Sequence, residues 1–200
     1  MSVGPRPRDI EPREDIQRVV LDLVAAHGLG GVTIDAVASA ARVSKSTMYR
    51  RWPTKTDLIL EAIRMSFDGD HHIDPGDLGS LRAELRIVLD GAAAALRRNR
   101  RLMIALLDAA QRDPEVFALM RHETRDRLRE ATERPLVRAI ARGDIPPETN
   151  LDLIPQIALP ILHFRAIWNE PIDDAFLDQL LDGVLLPVAA TPAPPAPASS

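Results

Sequence analysis

Residues 41–58, ARVSKSTMYRRWPTKTDL, gather short hydroxyls (Ser44, Ser46, Thr47), a phenol (Tyr49), five cations (Arg42, Lys45, Arg50, Arg51, Lys55) and an indole (Trp52). These groups are hydrogen-bond donors and fixed positive charges. The chemistry they suit is recognition of a polyanion, in which Lys and Arg neutralise phosphates and short polar side chains reach base edges. A solvated basic helix end is the plain alternative. Covalent chemistry has little to work with. The chain has no cysteine, no phosphate-cradling glycine loop, no Ser/His/Asp set in recognisable order and no cofactor fingerprint, so neither an enzyme nor a cofactor is expected.

The charge distribution favours the polyanion reading. Net charge is −4 over 200 residues, which alone speaks against nucleic acid. Residues 1–55, however, carry nine basic and six acidic side chains, a balance of +3 that leaves −7 for the remainder. One end is built to meet an anion and the other is not.

The elements that must hold these groups read as helices throughout. Ile16, Val19, Val20, Leu23, Val24 and His27 share one helical face, and Gly28, Gly30 and Gly31 are expected to stop that helix. Thr33 is placed to cap a short second helix with an inner face of Ile34, Val37, Ala38 and Ala41. Ser44 caps a third, running to about Trp52 and held inward by Val43, Met48 and Trp52. Pro53 ends it, and Thr54 caps a fourth with Leu58, Ile59, Ala62 and Ile63 inside. Two short helices across a tight turn, with another beneath, make a helix-turn-helix unit whose second helix starts with Ser44, Lys45, Ser46 and Thr47.

The run TIDAVASAARVSKSTMYRRWPTKTDLILEAI carries a pattern of separated positions in register: Thr33, Val43-Ser44, Thr47-x-Tyr49, Trp52 and Lys55-x-x-Leu58. On these residues, 16–63 resemble the DNA-binding domain of the TetR family of bacterial transcriptional regulators. The resemblance implies a homodimer whose Ser44–Trp52 helices enter the two halves of a palindromic operator. It implies DNA contacts at Thr33, Ser44, Lys45, Thr47, Tyr49, Arg51 and Lys55, to which Ser46, Arg50 and Arg42 are added from their own chemistry. Many members carry Gly before the Val-Ser pair, and Arg42 departs from that. The expectation is that the turn stays at negative φ and Arg42 adds a phosphate contact.

The organisation expected is a flexible arm (1–11), the helix-turn-helix domain (12–65), a Gly/Asp/Pro-rich linker (66–80), a helical ligand-binding and dimerisation domain (81–187), and a disordered Pro/Ala tail (188–200). The fold class is all-α. Helices are expected from Leu81 to about Arg98, over Leu102–Ala110, from Pro114 to Arg142 with a kink at Pro135, and over 151–168 and 175–186. The last two carry apolar stripes, Ile154, Ile157, Ile161 and Leu177, Leu180, Leu181, Val184, suited to a four-helix contact about a two-fold axis or to internal core. Met103, Leu106, Leu107, Phe117, Met120, His163, Phe164 and Trp168 are the best pocket candidates for a small, apolar or amphipathic effector. His122, His163 and Arg121 are candidates to orient a polar ligand, with a surface or satisfied core position the equal alternative for each.

Other clusters have plainer explanations. His71-His72 among Asp68, Asp70 and Asp74 is a solvated loop before it is a metal site, and RRNRR (97–101) is a helix C-terminus before it is a second nucleic-acid patch. With no signal sequence and no membrane span, a cytoplasmic protein is expected. The reading is a DNA-binding regulator, a ligand-released repressor acting as a dimer. The alternative is an all-helical small-molecule-binding protein or enzyme without DNA affinity.

Overall fold

A computed structural model describes residues 13–68 and 74–192. The expected N-terminal arm, the His71-His72 pair and the tail from residue 193 lie outside them. The described residues are helical, with no strand among them. No helix among them is long and apolar enough to cross a membrane.

Four helices form the N-terminal unit: α1 (Arg13–Gly31), α2 (Ile34–Ala40), α3 (Lys45–Arg51) and α4 (Lys55–Asp68). α1 packs on α2 and α4, and α2 packs on α3. Val20, Val24, Val37, Met48, Leu58 and Ile63 are fully buried between them. Gly28 breaks α1 as expected, at φ 68° and ψ 175°, a conformation open to a residue without a Cβ, and the short turn beyond it ends at Gly31.

The larger unit is organised on α5 (Leu81–Ala110), 30 residues in two helical stretches. α5 packs against α1 on one side and against α6 (Pro114–Arg121), α7 (Arg127–Arg142), α8 (Leu153–Ile167) and α9 (Asp174–Leu180) on the other. The two helices expected over 81–98 and 102–110 are both present within α5, meeting at a kink at Asn99, whose φ −103° and ψ 15° are not helical. RRNRR therefore straddles the kink, at the C-terminus of the first of these helices, as expected. Two of its arginines are spent on carbonyls at the end of α8 and beyond, Arg97 on Ile172 O at 2.6 Å and Arg100 on Ala166 O at 2.6 Å. These bonds give Arg97 and Arg100 a structural role, holding the end of α8 and the loop after it against α5.

The helix expected from Pro114 to Arg142 is interrupted, but not at Pro135. α7 runs through that buried proline. The irregularity is a π-helical segment, His122–Asp126, where an extra residue is accommodated and the Arg127 N–H reaches back to His122 O. A second π segment, Leu181–Leu185, joins α9 to α10 (Leu186–Ala189), so helix persists beyond the expected end of the domain at 187.

The linker is partly helix, since α4 reaches Asp68, and its last residues are strapped to α7. Asp74 pairs with Arg134 at 2.8 Å and Arg138 at 3.2 Å, and Asp77 with Arg142 at 2.9 Å. Glu84, wholly buried, joins Arg138 and Arg142 at 2.8 and 3.0 Å.

Candidate nucleic-acid interface

The turn between α2 and α3 is set by local chemistry at both ends. Thr33 Oγ1 accepts from Ala36 N at 3.1 Å and opens α2; Ser44 Oγ accepts from Thr47 N at 3.2 Å and opens α3. α2 closes with paired backbone bonds, Val43 N to Ala38 O at 2.9 Å and Arg42 N to Ser39 O at 3.3 Å. This closure requires a left-handed residue between helix and turn. Arg42 fills that place at φ 57°, which overturns the expectation of a negative-φ turn. α7 and α8 end in the same way on Gly143 and Asn169, residue types that tolerate the conformation better. Arg42→Gly is accordingly expected to raise stability by about 0.5–1 kcal/mol, the relief of left-handed strain less the entropy Gly adds to the unfolded chain. A urea midpoint unchanged or lowered by R42G would show that no strain is held there.

α3 is anchored from below. Met48 is fully buried and Trp52 is 2% exposed, with its Nε1–H donated to Glu61 Oε2 at 2.9 Å. Glu61 Oε1 accepts from the buried Gln17 amide at 3.3 Å, so one carboxylate ties α1, α4 and the end of α3 together. Thr54 and Asp57 cap α4 reciprocally, Asp57 N donating to Thr54 Oγ1 at 3.1 Å and Thr54 N to Asp57 Oδ2 at 3.0 Å.

The outward edge of this scaffold collects most of the expected contacts. Arg42, Ser44, Lys45, Ser46, Tyr49, Arg50, Arg51, Thr33 and Lys55 are exposed, and Thr47 is half-buried. Ser44 Oγ lies 2.9 Å from Ser46 Oγ and 2.8 Å from Thr47 Oγ1, a cluster of hydroxyls at the positive end of α3. Lys45 Nζ pairs with Asp35 at 2.6 Å and Lys55 Nζ donates to Leu29 O at 3.2 Å. Both cations are thus directed without being buried. An exposed pair such as Lys45–Asp35 contributes on the order of 0–1 kcal/mol, so a phosphate can displace the aspartate. The Arg51 guanidinium stacks over the Trp52 ring at 5.1 Å.

Residues 19–62 match the family model for the N-terminal domain of the tetR family of bacterial regulatory proteins. Residues 75–184, more than half of the chain, match that of the tetracyclin repressor-like C-terminal domain. The chain belongs to the TetR family. Among its relatives, a DNA-binding transcriptional repressor, TetR, of Mycobacteroides abscessus is 31% identical over 84% of this chain and 88% of its own. An uncharacterised HTH-type transcriptional regulator of Mycobacterium tuberculosis is 31% identical over 93% and 94%. Solved structures share the fold: Salmonella enterica GusR has a TM-score of 0.70 at 17% identity, covering 91% of this chain and 99% of its own. A TetR-family member from Streptomyces coelicolor A3 has 0.66 at 20%, covering 88% and 98%. This TetR-family chain is therefore a helix-turn-helix DNA-binding transcriptional regulator, not an enzyme, and the reading without DNA affinity is set aside.

Two features of the regulator's larger unit were misplaced by pattern alone. The first is the cavity, about 90 Å³, between α5, the π segment, α7 and α8. Of the eight pocket candidates, Met103 and His163 line it. Leu106 and Met120 are buried and Leu107 half-buried, but none of the three lines it. Phe117, Phe164 and Trp168 are 53%, 56% and 67% exposed and do not line it either. His122 and Arg121 are also exposed. The polar groups that do line it, Glu123, Thr124 and Arg127, sit on or beside the π segment, which no local motif announces. Gly91, Ala92 and Ala95 on α5 line the opposite side. The run of small residues at 91–95 was the one sequence signal that space is left here.

The second is the outer face of α8. Ile154, Leu177, Leu180 and Leu181 are at most 4% exposed inside the single chain and are not available to a second copy. Ile157, Ile161 and Val184 are half-buried. The apolar side chains that face outward on α8 are Leu153, Pro160, Phe164, Ile167 and Trp168, which with Ile157 and Ile161 follow i, i+4, i+7, i+8, i+11 spacing. The Phe164 and Trp168 rings lie 6.1 Å apart.

Proposed function

We propose that this regulator is a homodimeric repressor that holds a palindromic operator with two copies of α3 and releases it when a small molecule occupies the α5–α8 cavity. The observation that carries the reading is the join between the two sites. α3 presents a polar, cationic edge from a rigid scaffold, and α5, which walls the cavity, packs directly on α1 of that scaffold. The repressor named among the relatives supports the sign of regulation. The outward apolar stripe on α8 supports the dimer, since contiguous exposed apolar faces of this kind mark interaction sites. Release requires the ligand to bind the non-operator state more tightly, and it shifts the equilibrium by no more than that difference.

In this reading Tyr49, Arg50, Arg51, Arg42 and Lys55 hold phosphates, while Lys45, Ser46 and Thr47 reach bases; Thr33 and Ser44, engaged as caps, contribute at the helix ends. A band-shift series on DNA upstream of the protein's own gene tests it. Tyr49→Ala and Lys55→Ala are expected to weaken operator and random DNA in parallel, Lys55→Ala also lowering the salt slope by about one. Lys45→Ala and Thr47→Val should instead change which operator bases matter. A wild-type protein that shifts operator and random DNA equally at every salt concentration would overturn the proposal.

A further inference from the structure

Glu123 is the group that the helix-turn-helix function does not use. It is 5% exposed and lines the cavity from the π segment. Arg127 Nε approaches its Oε2 to 2.6 Å, but outside hydrogen-bond geometry, so that oxygen is a buried acceptor with no hydrogen-bond partner. Buried carboxylate oxygens ordinarily accept hydrogen bonds as well. Here the carboxylate is ion-paired to Arg127 and its residue lines an open space.

Its neighbours accept as well. His163 is bound through Nδ1 to Leu159 O at 2.9 Å, and since a carbonyl can only accept, Nδ1 carries the proton. Burial holds this imidazole below its ordinary pKa, so at neutral pH the ring is uncharged and Nε2 is a bare lone pair. Thr124 donates its hydroxyl proton to Met120 O at 2.7 Å and keeps its oxygen lone pairs. The charges of Glu123 and Arg127 cancel each other, so an ionised ligand would bring an uncompensated charge into a mostly apolar enclosure.

We infer that the cavity takes a neutral, largely apolar molecule whose polar group is a hydrogen-bond donor, a hydroxyl or an N–H, seated on Glu123, and that it rejects carboxylates. This rests on the cavity being the effector site proposed above. At about 90 Å³ the space suits a molecule near benzene in size, for which a cavity of about 150 Å³ is known to suffice, with modest opening of the small-residue wall on α5.

The test uses four probes on one apolar body: benzyl alcohol, benzyl methyl ether, toluene and benzoate, with binding to the full-length protein followed by NMR or calorimetry and operator release followed separately. Benzyl alcohol is expected to bind at least tenfold more tightly than the ether or toluene, with benzoate weakest. In Glu123→Gln the alcohol's advantage should fall below threefold and benzoate should gain, because Arg127 loses its counter-charge. Benzoate or the ether matching the alcohol on the wild-type protein overturns the assignment, as does the failure of all four to bind. The wild-type series decides this even if E123Q does not fold. If the expected order is found but operator affinity does not move, the ligand class stands and the release reading falls.

Discussion

Trp52→Ala is expected to abolish operator binding by unfolding the N-terminal unit while the larger unit keeps its helices. Trp52 is 2% exposed and stands at the C-cap of α3. Deleting a buried indole costs about 3–5 kcal/mol, of the order of the whole stability of a small helical unit. Nothing nearby is free to refill the space, since Met48, Leu58 and Ile63 are themselves fully buried. α3 is only seven residues long, below the length at which a helix survives in water without packing. Losing its anchor therefore removes the reading helix itself. Trp52→Phe separates packing from polarity: it keeps most of the ring and loses the Nε1–H bond to Glu61, at a cost of about 1 kcal/mol plus the lost volume. Circular dichroism and a thermal melt should show Trp52→Ala losing one transition and retaining the other. Operator affinity within threefold of wild type would refute the anchoring role.

The second large effect is expected on the outer face of α8. Phe164→Asp combined with Trp168→Asp should leave the chain folded, because both side chains are more than half exposed, and should turn the proposed dimer into a monomer by sedimentation. Buried against a second copy, two carboxylates per chain would be desolvated near one another about the two-fold axis, at a cost of several kcal/mol each. Operator affinity should fall by about 100-fold or more, because the second half-site is then no longer engaged at high effective concentration. Leu177→Asp is the contrast: at 1% exposure it should unfold the chain, not divide the assembly. A double variant that still sediments as a dimer would move the interface elsewhere.

Much of the candidate DNA-reading edge was legible in the sequence because its determinants are local. An N-cap acts over three residues, so Thr33, Ser44 and Thr54 announce where α2, α3 and α4 begin whatever the rest of the chain does. The short apolar sets around Met48 and Trp52 likewise have a single side to bury. Arg42 shows where local reasoning stopped: the paired bonds closing α2 demand positive φ, and the composition of the turn does not reveal that demand.

The larger unit was less legible for a different reason. α8 is apolar on nearly every side, so periodicity could not say which side meets the core. Phe164 and Trp168, candidates for cavity lining by residue type, stand outside, while Ile154 and Leu177, candidates for an interface by spacing, stand inside. The π segment inserts a residue with no motif to mark it, and Glu123 on that segment lines the cavity. By itself, then, the sequence determined an all-helical chain, its caps and loops, and the helix whose start carries hydroxyls and cations, because short-range hydrogen bonds and charge are written residue by residue. The cavity, its buried carboxylate and the outward face of α8 were decided only by the tertiary structure, because space and exposure belong to the gap between helices and to no single helix.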